Sequence, residues 1–323
     1  MEGGIKLSTR TKADVVLLNW PQAATQQKLF IMIRRVVALL VILLVQRARG
    51  AQIIWIVHNS HNHDSVRPEV ERIFMWFVVS LITGAVFLTE GSRPIGYGWH
   101  PKLARLPYVI MPHPVYGDAY PRSPERTEAR VRFGIASNRL TLGLVGDLKS
   151  YKGVDGILNA VEKMQGCDVD VLLAGAVSER GLAARIENVV ERSASTGRSV
   201  THVNHRLDDE ELIAALAALD LLVLPYSCGE NSGMAILAAE HGTPILARSN
   251  PSIDELSITL GAMTVQKFYG RLEDLDLAAA VQNARRADFA KLDRFKARHS
   301  SKSCAQALAG LFTAPQRLTE VAA

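Results

Sequence analysis

The chain has 323 residues, 48% of them hydrophobic and 21% charged, which suits about two globular domains and excludes a disordered chain. A formal net charge of +5, only 6% aromatic residues and no long basic run argue against a nucleic-acid surface and leave smaller anions such as phosphates as partners. The three cysteines, Cys167, Cys228 and Cys304, stand far apart with no C-x-x-C pair, which excludes an obvious disulfide framework or zinc cluster and fits a reducing compartment.

Met1–Ala13 is polar and lacks the apolar core of a secretory leader, so a cytoplasmic location is expected. Asp14–Asn19 (DVVLLN) is a short apolar run ending at Trp20-Pro21 and reads as a buried parallel strand. A helix around Gln26–Arg49 follows. Its segment Leu29–Val45 approaches membrane-spanning length, but Arg34 and Arg35 lie inside it, where insertion is costly. It reads first as a mostly buried helix of the first domain, next as a helix lying on a membrane surface, and last as a span. Gln52–Val57 is a second buried strand, running into His58-Asn59-Ser60-His61. Pro68–Ser80 is helical, Gly84–Thr89 is a third strand, a short helix follows near Arg93, and Tyr108–Met111 is a fourth strand stopped by Pro112. Strands alternating with helices predict parallel βαβ units in a doubly wound sheet.

The alternation then breaks. Pro114, Gly117, Pro121 and Pro124 punctuate a charged, weakly periodic stretch, so a first domain over 1–117 and a linker over 118–138 are expected. A second α/β domain over 139–323 restarts the pattern, with strands at Leu140–Val145, Val169–Ala174, Val200–Val203, Leu221–Pro225 and Pro244–Ala247. Helices are predicted over Gly153–Lys163, Glu179–Ser193, Asp208–Ala218 (opened by an Asp cap) and Ser232–Gly242. The tail from Asp276 to Leu311 is helical and charged, and packs at the end of the second domain or crosses back to the first.

Ligands of open α/β sheets bind beyond the carboxyl ends of the strands, which directs attention to the loops there. Gly146-Asp147-Leu148-Lys149-Ser150-Tyr151-Lys152-Gly153 combines two lysines with a glycine that opens a helix, a pattern able to hold a diphosphate through ammonium groups and free backbone N–H groups. It equally describes a solvated loop, and it lacks the Walker pattern of a P-loop. The segment Tyr226-Ser227-Cys228-Gly229-Glu230-Asn231-Ser232-Gly233 precedes a helix that Asn231 or Ser232 can cap, with Gly233 permitting close approach of an anion. It too has a plain reading, as a strand–turn–helix.

Together the strings LGLVGDLKSYKGVDGIL, DVLLAG, DDEELIAALAALDLLVLPY and NSGMAILAAEHGTPILA resemble, in order and spacing over about Thr141–Ala247, the donor half of GT-B glycosyltransferases of the bacterial group 1 (family 4-like) kind that build exopolysaccharides. The first half adds a weaker match in DVVLLNWP, IIWIVHNSHNHD and MPHPVYGDAYP. The resemblance implies two Rossmann-like domains and transfer of a sugar from a nucleoside-diphosphate sugar to a saccharide or lipid-linked acceptor. Lys149, Lys152 and Gly153, with Asn231, Ser232 and Gly233, would hold the donor diphosphate, Lys152 stabilising the departing charge. Gly175, Tyr226 and Glu230 are secondary candidates for the nucleoside or sugar. His58 resembles the acceptor-domain histidine beside the reacting sugar. No metal or other cofactor is implied. The cluster His58, His61 and His63 is an alternative metal site, although His61 and His63 read better as loop residues and no acidic ligand completes it.

Departures from the family pattern are specific. Relatives carry two glutamates, at positions that fall here on Gly229 and Leu237, with Glu230 adjacent to the first. Asp147 stands where a basic residue is common. A further strand, helix and glycine-rich loop usually precede the DVVLLNWP segment, so a shortened first domain is expected. A non-catalytic sugar-nucleotide-binding relative and a nucleotide-sugar epimerase of the same fold are the alternatives. The arginine-bearing apolar helix suggests peripheral contact with an anionic membrane at the inner face.

Overall fold

A computed structural model describes residues 11–61, 65–163, 169–194 and 199–313. The chain divides into two compact units, one comprising the residues up to Pro112 together with those from Lys302, the other His113–Ser301.

The first unit is built from β1 (Val15–Asn19), α1 (Leu29–Ala48), β2 (Gln52–Val57), α2 (Pro68–Leu81), β3 (Gly84–Phe87), α3 (Ser92–Trp99) and β4 (Tyr108–Ile110). The strands form one parallel sheet in the order β1-β2-β3-β4. Period-two alternation sorts the side chains of β2 between two layers: Ile53, Trp55 and Val57 pack with Leu39 and Leu43 of α1 and Phe74, Met75 and Val78 of α2, while Ile54 and Ile56 face the opposite side. α1 is anchored to this unit at its far end as well, because Gln46 Oε1 accepts from Ala13 N at 3.1 Å and Gln46 Nε2 donates to Thr11 O at 2.6 Å.

The second unit begins with α4 (Arg126–Arg132) and continues through β5 (Leu140–Val145), α5 (Val154–Lys163), β6 (Val169–Ala174), α6 (Arg180–Ala194), β7 (Val200–Val203), α7 (Asp209–Ala218), β8 (Leu221–Leu224), α8 (Gly233–Glu240), β9 (Ile245–Arg248), α9 (Pro251–Leu260), β10 (Val265–Phe268), α10 (Leu277–Ala284) and α11 (Leu292–Arg298). The six strands are parallel in the order β10-β9-β8-β5-β6-β7. One face is covered by residues of α7, α8, α9 and α11, among them Ile213, Ile236, Ile253 and Phe295, and the other by Ile157, Ile186 and Val281 of α5, α6 and α10. The chain runs outward from β5 in one direction and from β8 in the other, which makes the β5–β8 boundary the topological switch point. The Asp cap predicted for α7 is present as a reciprocal box: Glu211 N donates to Asp208 Oδ1 at 2.8 Å and Asp208 N to Glu211 Oε2 at 3.2 Å.

The expected boundaries need correction. The segment 118–138 is no linker, and the second unit starts at His113 rather than 139. Its sequence RTEARVR looks solvated, yet Arg130 is only 3% exposed. The Arg130 guanidinium pairs with Asp220 at 2.7 Å, and it donates to the carbonyls of Ala218, Ala136, Ser137 and Arg139. Charge here marks a clamp, because a guanidinium with five donors satisfies a carboxylate and several chain-end carbonyls at once. At the other end, the last described helix, α12 (Ser301–Thr313), belongs mostly to the first unit, not to a domain running from 139 to 323. Cys304, Ala307, Leu308 and Leu311 cover Ile54, Ile56, Val86 and Leu88 on the sheet face opposite α1. α9 and β10 went unpredicted, although their signal is present: Asn250 Oδ1 accepts from Ile253 N at 2.9 Å and Pro251 occupies the first turn of α9.

Candidate functional site

The loop that leaves β5 is pressed against those that leave β6 and β8 by backbone contacts that only glycine permits. A Cβ at Gly175 would lie 2.1 Å from the carbonyl oxygen of Gly146, and one at Gly153, whose φ is +75°, would lie 2.4 Å from that of Pro225. Ser227 N and Ser227 Oγ both donate to Tyr151 O, at 2.9 and 3.0 Å, and the Tyr151 and Tyr226 rings meet at 6.4 Å. Ser150, between Lys149 and Tyr151, is tied to Glu179, whose carboxyl is held below its usual range by hydrogen bonds from the Ser150 hydroxyl and backbone N–H. The loop that carries both lysines is therefore fixed on two sides.

Lys149 and Lys152 each lie near an aromatic face, Lys149 Nζ 5.7 Å from the Tyr151 ring centre and Lys152 Nζ 5.9 Å from that of Tyr226. The Lys152 side chain and that of Met234, in the first turn of α8, both reach Gly146: a Cβ there would be 3.7 Å from Lys152 Nζ and 3.4 Å from Cε of Met234. Ser232 caps that helix, accepting from Ala235 N at 3.2 Å. The Tyr226 phenol is pushed above its ordinary range, first by burial and then by Tyr151, against which its hydrogen bond with Ser232 acts. Lys152, Gly153, Tyr226, Ser232 and Gly233 thus gather at the carboxyl ends of β5 and β8, with Lys149 on the same fixed loop and Gly175 packed against its base. Asn231 and the buried Glu230 lie in the turn that leads into α8.

Three residues at this site carried no site signal in the sequence. A Cβ at Gly233 would stand 2.4 Å from Tyr116 Oη and 3.8 Å from His113 Nε2, so both side chains reach the start of α8. Glu240, in the last turn of that helix, accepts from Tyr116 N at 2.8 Å and Gly117 N at 2.9 Å and holds the segment in place. His113 Nδ1 donates to Pro114 O at 2.8 Å, and burial lowers its pKa against that hydrogen bond. The string HPVYGDAYP was visible as a family match, but nothing in its spacing joins it to a helix more than a hundred residues away.

The missing glutamates have a structural counterpart. Gly229 has φ +126°, a conformation that glutamate adopts only under strain, and Leu237 is 2% exposed inside the core that also holds Ile213 and Phe295.

His58 belongs to the other unit, just beyond β2. Its Nε2 donates to Asn19 Oδ1 at 3.1 Å, and its ring stacks on Trp20 at 4.9 Å with an interplanar angle of 10°. Trp20 is the one described non-glycine residue with positive φ, at +50°. His61 stacks on Trp99 at 4.2 Å, and His63 lies outside the described residues. Among the described residues no group of three or more His, Cys, Asp or Glu side chains is placed to hold a metal.

Residues 139–275 match the family described as glycosyl transferases group 1. The D-inositol 3-phosphate glycosyltransferase of Corynebacterium diphtheriae is 32% identical over 37% of this chain, a match that spans only 29% of the relative's own length. The GDP-mannose:glycolipid 4-beta-D-mannosyltransferase of Xanthomonas campestris pv. campestris is 21% identical over 86% of this chain and 73% of its own. Among solved structures, HepE from Anabaena in complex with UDP and glucose superposes with a TM-score of 0.68 at 14% identity, over 94% of this chain and 78% of that one. Sucrose-phosphate synthase from Thermosynechococcus elongatus gives 0.64 at 17% identity, over 88% of this chain and 78% of that one. These likenesses establish the fold as the GT-B type. Residues 139–275, the part of the chain that is similar to the group 1 glycosyl transferases, hold the paired loops after β5 and β8.

Proposed function

We propose that the chain transfers a sugar from a nucleoside-diphosphate sugar to a saccharide or lipid-linked acceptor in the cytoplasm, in the synthesis of an exopolysaccharide or another cell-surface glycan. The observation that carries this reading is that the Lys152 ammonium and the side chain of Met234, from the first turn of α8, both come within 4 Å of where a Cβ on Gly146 would stand. A helix N-terminus and a lysine beside it form an anion site, and a diphosphate bridging them leaves the sugar at the mouth of the β5–β8 boundary. Lys149, on the same loop, adds a second positive charge. As the glycosidic bond breaks, negative charge grows on the departing diphosphate, and groups already fixed around it stabilise that charge without reorganising. His113 and Tyr116 reach the same helix start and are assigned to the diphosphate or the sugar. His58 is assigned to the acceptor, its orientation set by Asn19 and Trp20. In this reading side chains and backbone N–H groups carry the charge, and no metal ion takes part.

The names of relatives support the donor class. One names GDP-mannose and a glycolipid in its activity, and HepE was solved with UDP and glucose. The reading is tested by Lys152→Ala. Loss of one charge-assisted contact weakens nucleoside-diphosphate binding by about tenfold to a hundredfold. Transfer should fall at least as far, with the unfolding transition unchanged. A variant that binds and transfers like the parent removes Lys152 from the site. Binding of a nucleoside diphosphate by the parent with neither transfer nor donor hydrolysis would favour a non-catalytic binding protein instead.

A further inference from the structure

α1 has two apolar faces, and the fold uses only one. Met32, Leu39, Ile42 and Leu43 point into the first unit. On the other side Phe30, Ile33, Val37, Val41 and Leu44 recur at spacings of three and four and form an exposed stripe along the helix, with Phe30 78% exposed. α2, which shares the core with α1, extends this surface through Ile73, Trp76 and Phe77, with Trp76 66% exposed and packed edge-on against Phe77. A contiguous apolar face of this kind marks a site of association.

The charges around it identify the partner. α1 contains no acidic residue, and it carries Arg34, Arg35 and Arg47, with Arg49 just beyond its end, all exposed. On α2, Glu69 is already paired with Arg72, and Glu71 is buried and accepts from Gln26 Nε2 at 3.2 Å. We infer that the exposed face of α1 and α2 docks onto an anionic lipid bilayer, lying in the headgroup region without crossing it. Phe30, Trp76 and Phe77 enter the acyl boundary, while the arginines reach up to phosphate groups. A second copy of the chain fits less well, because a two-fold contact would set Arg34 and Arg35 against the same pair with no carboxylate on α1 between them. A spanning helix fits less well too, because leaving the unit would strip Leu39 and Leu43 from the sheet and break both Gln46 hydrogen bonds. This inference rests on the first unit alone and stands whether or not the transfer reading holds.

Flotation of the full chain through a density gradient tests it, with vesicles of phosphatidylcholine alone or mixed with phosphatidylglycerol. The protein should float with the mixed vesicles, stay behind with the neutral ones, and be released by high salt. Phe30→Ser with Trp76→Ser should abolish flotation. Arg34→Gln with Arg35→Gln should lower partitioning by more than about tenfold. All four side chains are exposed, so each double variant should keep the parent's unfolding midpoint, which checks that the fold is intact. Failure to float with anionic vesicles overturns the inference, as does equal flotation with neutral ones or flotation that survives loss of Phe30 and Trp76. A dimer in solution that dissociates on the Phe30 and Trp76 changes would give the face to a second copy and overturn it as well.

Discussion

Gly229 shows how a single backbone angle fixes what a site can contain. Restoring the relatives' glutamate with Gly229→Glu places a side chain at φ +126°, which costs about 1–3 kcal/mol. The variant should lose that much stability in urea unfolding and gain no affinity for nucleoside diphosphates in titration. Trp20 presents the converse case, a large residue at φ +50° whose ring stacks on His58. Trp20→Ala should lower turnover while leaving donor binding unchanged, and its effect should largely vanish in a His58→Ala background, since the two act as one unit. An additive double variant would show that Trp20 works elsewhere. Gly153, Gly175 and Gly233 were picked out as candidates in the sequence because glycine at the end of a strand or the start of a helix there has few other physical reasons to be present. His113, Tyr116 and Glu240 were not, since their role depends on the fold carrying the 113–117 segment onto the two ends of α8.

At the scale of elements, α4 was hidden by its charge. Arg130 saturates four carbonyls and Asp220, so its removal leaves a buried carboxylate and several acceptors short of donors. Arg126 also bonds Asp220 and keeps the loss toward the lower end of the usual range. Arg130→Met should destabilise the second unit by about 3 kcal/mol, read as a shift of its urea transition, while the first unit's transition stays in place. Buried parallel strands were readable where they are continuous apolar runs, as LLVL of β8 is, whereas VQKF of β10 is not such a run and went unread. α1 was readable as a helix but not as a two-faced one: sequence shows apolar residues all round, and only packing tells which of them the fold keeps.

For the whole molecule, several buried histidines set a common pH response. Burial lowers the pKa of His100, opposed by its hydrogen bond to Ser60 O, and likewise of His113 and His299, opposed by their bonds to Pro114 O and His113 O. In the unfolded chain each binds a proton near its ordinary value of about 6.5, so the unfolded state takes up more protons as pH falls. The stability these groups leave intact at neutral pH is therefore lost as pH drops through about 6.5 toward their lower folded values. Thermal unfolding should shift to lower temperature between about pH 7.5 and 5.5, and a flat profile would show that these rings are already accessible to protons.

The return of α12 to the first unit has a consequence for how the protein is made. On one side of that unit's sheet, Ile54, Ile56, Val86 and Leu88 gain the cover of Cys304, Ala307, Leu308 and Leu311 only once residues 304–311 leave the ribosome, after the whole of the second unit has been synthesised. The lobe translated first is thus completed last. In the interval it lacks that cover, and nascent chains stalled before Ser301 should bind chaperones that shield apolar surface more than the full chain does.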